Sequence, residues 1–181
     1  MRSMGRWVFG GGAVVVLVVT GLGVPRATAD VDAGLWGEVR PLIEAWLVAD
    51  SKGSGYGETQ PALRARWFCA AEPLVLDDHD GLVKAGVNTL CEEYGIRSGA
   101  LLECGGAAFP QVVRLKRDAY GRYRVVSRQE PPDDVDEARW LADRFGGATV
   151  PGADATMSPA PLEAAARTHF GLRANAPVLD C

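Results

Sequence analysis

The sequence predicts an α+β fold: an antiparallel meander of four to five strands packed against an N-terminal helix, with two further helices at the C-terminal end. Three observations carry this. Apolar residues recur at helical spacing over 32–49. The texture turns β-like from Trp67 to Gln129 with turn signals between the runs. Two more helical patterns follow the Pro131-Pro132 stop.

In residues 32–49, Leu35, Val39, Leu42, Ile43, Trp46 and Leu47 form one apolar stripe, with Glu38, Arg40 and Glu44 off it. Pro41 lacks an amide proton and should kink or divide this helix near Arg40. Asp50–Gly57 (DSKGSGYG) has the composition of a flexible loop, and a short helical turn fits Pro61–Arg66. Strands are expected near Trp67–Leu76, Leu82–Tyr94, Ala100–Gly105, Pro110–Arg117 and Tyr123–Gln129. They are separated by DDHDG, GIRSG, a Gly-Gly pair and DAYG. Such short connections imply antiparallel neighbours. Asp134 with Glu137 reads as the start of a helix that buries Ala138, Leu141, Ala142 and Phe145 and stops at Gly146. The α+β domain thus spans 30–145. Residues 146–160, rich in Gly, Ala and Pro, read as a linker, and 161–181 as a final helix (Leu162, Ala166 and Phe170 on one face) with a tail ending at Cys181.

Residues 1–29 have the grammar of an export signal. Arg2 and Arg6 precede an apolar run that includes Ala13–Val19, and Ala27-Thr28-Ala29 places small residues where signal peptidase needs them. Cleavage after Ala29 would release a secreted chain with 16 basic against 23 acidic residues. That balance disfavours nucleic acid and anionic membrane surfaces as partners. The rest of the chain holds all four cysteines (Cys69, Cys91, Cys104 and Cys181), an even set that in an oxidising compartment reads as two disulfides. A hairpin folded at DHDG sets position 69 nearly opposite 91, which gives Cys69–Cys91 and Cys104–Cys181. The same arithmetic at GIRSG sets 91 nearly opposite 104 and would leave Cys69 for Cys181. Both pairings use Cys181.

Catalytic signals are sparse, and no cofactor or metal is expected. Asp77-Asp78-His79-Asp80 has potential cation ligands, yet four polar residues before a glycine also describe a solvated turn. His169 sits beside Phe170 as a packing residue. The Gly53–Gly57 loop lacks the Lys-Ser/Thr of a phosphate cradle. Glu92 and Glu93 are adjacent on a strand and point to opposite faces, so they cannot act as a pair, although alternation should bury one of them. Trp36, Trp46, Trp67 and Trp140 fit core packing or an apolar pocket between helix and sheet.

The order of a helix containing Glu44-Ala45-Trp46-Leu47-Val48-Ala49-Asp50 and then a meander resembles the NTF2-like (cystatin-like) superfamily over residues 34–130. The resemblance implies a bent sheet wrapped around the helix, often enclosing a cone-shaped pocket, in folds that serve enzymes, ligand carriers and interaction modules. Gln111-Val112-Val113 is similar to the first half of the cystatin inhibitory hairpin, from which Arg114 and Leu115 depart. A second resemblance, to secreted subtilisin inhibitors of filamentous bacteria, rests on export, the cysteine count and the valine-containing Pro110–Val113 after Cys104. It implies first-to-second and third-to-fourth cysteine pairing, and an exposed inhibitory loop around Cys104–Pro110. The expected function is a secreted, non-enzymatic binding or interaction domain for an unknown protein or small apolar ligand. A protease inhibitor and an enzyme with a helix–sheet pocket are the alternatives.

Overall fold

The computed structural model describes residues 31–147 and 149–181. The export signal expected over 1–29, with its cleavage site, lies outside the described residues. Among those residues no helix is long and apolar enough to cross a membrane.

The chain is α+β. Helix α1 (Ala33–Ser51) leads into two short 3₁₀ turns (Gly57–Thr59 and Pro61–Leu63). Strands β1 (Arg66–His79), β2 (Leu82–Arg97), β3 (Ala100–Arg117) and β4 (Tyr123–Gln129) follow. Helices α2 (Glu137–Arg144) and α3 (Ala160–His169) and a short β5 (Val178–Asp180) complete it. The four long neighbours are antiparallel in the order β1-β2-β3-β4, and β5 lies parallel to β3 at Leu101–Glu103.

Helix α1 starts at Asp32, whose carboxylate accepts the Leu35 amide at 2.7 Å. Its Val39, Ile43 and Leu47 are buried on the sheet, a contribution of about 1.5–3 kcal/mol per side chain. Pro41 does not divide the helix, one of the two outcomes expected from the sequence. Pro41 and Gly37 both lie on the exposed side, so the carbonyl deprived of its partner is open to water while the buried stripe holds the helix together.

Asp80-Gly81 and Ser98-Gly99 all have positive φ (52°, 76°, 52° and 80°) and form the two-residue turns that match strand twist. The expected turn DDHDG is therefore narrower, with Asp77–His79 inside β1. Three irregularities set the register: a bulge at Leu74 in β1, one at Cys104 in β3 and one at Val126 in β4. The bulge turns Leu74 and Val75 to the same face, towards α2. Strands expected at 100–105 and 110–117 are one strand. Gly105-Gly106 is no turn: it sits in β3 opposite Glu93 and Glu92, and the Glu92 carboxylate fills the space a Cβ at 106 would need.

One sheet face carries α1 and the largest cluster, which includes Val83, Ala85, Val87, Val113 and Leu115. The other carries α2 over Leu74 and Val112, and α3 over Leu90, Tyr94 and Leu101. Helix α2 is capped by Asp136, which accepts the Arg139 amide at 2.7 Å, and not by Asp134, which has φ 65° in the preceding turn. Residues 149–159 have no regular structure but are not a free linker. Val150, Ala153 and Met157 are buried, and the Asn88 side chain donates to the carbonyl of Gly152 at 2.7 Å.

Disulfides join Cys69 to Cys91, cross-strand partners with Cα atoms 4.1 Å apart, and Cys104 to Cys181, with Cα atoms 4.8 Å apart. The second closes a sequence separation of 77 and secures β5 and α3. Cys181→Ser should destabilise the protein by about 4 kcal/mol in the loop-entropy treatment. Hydrogen exchange should speed up first at Leu101–Glu103 and in α3. Exchange and melting identical to the unmodified protein would contradict this role for the tail.

Candidate functional site

Towards the end of α1 the sheet face beneath it changes chemistry. Along β2 the inward series runs Val83, Ala85, Val87, then Thr89, Cys91 and Glu93. Along β3 the neighbouring series runs Leu115, Val113, then Gln111, Phe109 and Ala107. The aliphatic part packs against α1. The polar part leaves a cavity of about 230 Å³ between Trp67, Thr89, Phe109 and Gln111 below and Asp50, Ser51 and Ser54 above.

Gln111 is 2% exposed, and its Nε2 donates to Thr89 Oγ1 at 2.8 Å, while that hydroxyl donates to the Phe109 carbonyl at 2.9 Å. This relay fixes the amide and leaves Gln111 Oε1 without a partner; Trp67 Nε1 has none either. A buried polar atom left unpaired costs about 1–3 kcal/mol, and both atoms belong to residues that line the cavity. At the mouth Arg128 bonds Asp50 at 2.7 Å, pairs with Glu130 and lies over the Trp46 ring at 5.4 Å. The Cys69–Cys91 disulfide joins the strands beside this cavity. Such a wall can hold and orient a molecule through hydrogen bonds, and its carboxylates at Asp50 and Glu130 are engaged by a guanidinium.

Of the Glu92-Glu93 pair on interior strand β2, Glu93 is buried and Glu92 is half-buried. Glu93 is fully buried beneath the Gly53–Gly57 loop and accepts the Gly57 amide at 2.7 Å. A Cβ at Gly55 would collide with its carboxylate. Glu58 accepts the Gly53 amide at 2.6 Å from the other side. The glycine-rich loop is thus neither a flexible spacer nor a phosphate cradle, but a cover moulded on a carboxylate.

Glu92 faces α3. Burial first, then the negative charges of Glu103 and Glu163, push its carboxyl up to about 7. His79 is exposed at the first hairpin and bonds Asp77 at 2.7 Å. Among the described residues no group of three or more His, Cys, Asp or Glu could hold a metal ion. His169 is exposed, not partly buried, with its ring edge-on to Phe68 and Phe170.

Of the residues singled out from the sequence, Trp67 and Cys91 line the cavity, together with Asp50 and Gln111, which were named there only as parts of family-like strings. Thr89 and Arg128 were not anticipated. The available signal was Thr89 and Gln111 occupying inward positions of otherwise aliphatic strands, where a polar side chain needs a reason.

Glu92 generates a pH dependence. The native state keeps a proton that the unfolded chain releases above the ordinary glutamate value of 4.5, so native stability falls as pH rises from there to about 7 and levels beyond. Glu92→Gln should abolish this share of the slope and give its largest relative gain above pH 7. Parallel slopes in urea melts of both proteins would contradict it.

Comparison with protein-family models, with curated proteins and with solved structures returns no match.

Proposed function

We propose that the protein is an exported, non-enzymatic binding domain whose ligand occupies the cavity between α1 and the sheet. One observation carries this reading: a preformed cavity is lined by Gln111 and Trp67, whose Oε1 and Nε1 are buried without partners, and the Arg128–Asp50 pair lies at its mouth. Ligand sites combine apolar walls with a few fixed polar groups in this way. The complementary ligand is mostly apolar, with one end that both donates and accepts, as a primary amide does. Two disulfides and the Arg2–Ala29 leader grammar support action outside the cytoplasm after cleavage behind Ala29. The inhibitor alternative draws less support, because Cys104–Pro110 runs inside β3 and does not project as a loop.

Small primary amides such as propionamide should shift the Trp67 indole N–H resonance in a saturable titration. Gln111→Leu should weaken that binding about tenfold, the effect of losing one well-placed hydrogen bond in a dry site. An unshifted indole across the titration would remove the cavity reading. Export is tested separately: intact mass from culture supernatant should give a chain beginning at Asp30, and full-length chain retained in membranes would refute cleavage.

A further inference from the structure

The edge of β3 facing away from β2 is paired at both ends and bare in the middle. β5 pairs with Leu101–Glu103 and β4 with Val112–Arg117, and no strand among the described residues pairs with Cys104–Gln111 on that side. The cause lies in the sequence: Pro131 and Pro132 follow β4 almost at once and have no amide protons for the ladder. At the other end the tail stops at Cys181, tied to Cys104.

The register shows which groups this gap presents. Cys69 and Cys91 face each other at a Cα separation of 4.1 Å, the spacing of a non-hydrogen-bonded pair. The amide and carbonyl of Cys91 therefore point to β3 and bond Ala107, its partner there. By alternation Gly106, Ala108 and Pro110 point outward. Pro110 fits this assignment, because an outward position needs no amide proton. The free edge thus offers the amides of Gly106 and Ala108 and the carbonyls of Gly106, Ala108 and Pro110, over about 13 Å of strand.

The outer edge of β1 is managed differently. Glu44 accepts the Ala71 amide at 3.2 Å, and Pro73 occupies the next position of the same phase. Gly105–Gln111 carries no charge, and Gly106, Ala107 and Ala108 are exposed with minimal side chains. Cavities flank this stretch on both faces. The one beneath α1 is lined by Ala107, Phe109 and Gln111, and one of about 160 Å³ on the opposite face by Ala108, Pro110 and Met157. An added strand directs successive side chains to alternate faces, so consecutive residues of such a strand would each meet a socket. In the first socket Gln111 is almost fully buried with its Oε1 unpartnered.

We infer that the bare edge of β3 accepts an extended segment of a partner polypeptide as an added strand, with an Asn or Gln side chain inserted beneath α1 against Gln111 and Trp67. The inference rests on the cavity reading above and names its ligand class. Main-chain bonds to Gly106, Ala108 and Pro110 supply affinity, and the amide socket supplies selectivity.

A random heptapeptide library displayed on phage, panned on the oxidised mature protein, tests it. Enriched peptides should lack proline in the central run and share Asn or Gln at one position. The synthesised peptides should lose about tenfold or more in affinity towards Ala108→Pro, which removes an outward amide and spares the ladder to β2. N-methylation of the peptide at alternate residues should do the same on unmodified protein, independently of any folding defect in the variant. Gln111→Leu should weaken amide-bearing peptides and leave their Leu counterparts unchanged. An absence of enriched peptides, or peptides indifferent to both Ala108→Pro and N-methylation, would overturn strand addition. If propionamide then still shifts the Trp67 indole, strand addition alone falls and the cavity reading stands; if it does not, both fall.

Discussion

Alternation along β2 divides this molecule. Val83, Ala85, Val87, Thr89, Cys91 and Glu93 look towards α1, whereas Gly86, Asn88, Leu90, Glu92 and Tyr94 look towards α2, the 149–157 segment and α3. Because the side-chain period is two, a slip of one residue would exchange the sets. Glu92 would be driven under α1, and Val87 would lose the helix it packs on. Gly86 occupies its place for the same reason: Val75, Phe145 and Leu141 crowd the site where its Cβ would be. Both helical layers depend on this one strand being read in a single phase.

The inner face of β2 then spends part of its stabilisation on polarity. Its aliphatic half buries α1 at full hydrophobic gain. The other half, with the adjoining part of β3, buries Thr89, Gln111 and Glu93, and leaves Gln111 Oε1 and Glu93 Oε1 without partners. Buried polar groups with unmet bonds oppose folding. The relay from Gln111 through Thr89 to the Phe109 carbonyl fixes the amide before any ligand arrives, which makes the wall preorganised.

How much of this was visible in the residues differs by element. The order of helix and strands was legible because local signals agreed: the Val39-Ile43-Leu47 stripe, the Asp80-Gly81 and Ser98-Gly99 turns, and the double proline after β4. Gly105-Gly106 misled because a glycine pair marks a turn in isolation, while here the need is tertiary: room for Glu92. Pro41 misled for the opposite reason, its local penalty being outweighed by packing spread along α1. The cavity was not legible, since it arises where Thr89 and Gln111 meet Asp50 and Ser54 across large sequence separations. No local pattern encodes that meeting.

The bulge at Leu74 has a consequence for how the chain matures. Counting back from the Asp80-Gly81 turn without it, position 69 falls opposite Glu92, and the thiols of Cys69 and Cys91 project from opposite faces of the hairpin. Only the bulged hairpin, in which Pro73 meets Val87 and Val75 meets Gly86, sets them side by side. Oxidation therefore acts as a checkpoint on strand phase. A nascent hairpin in the slipped phase cannot close the bond and stays reducible and free to re-pair, whereas the correct one is sealed covalently and leaves the pool of searching conformers. An oxidising compartment would supply this chain with more than a staple: it would supply an editor that recognises one phase of β1 against β2 and makes that choice permanent.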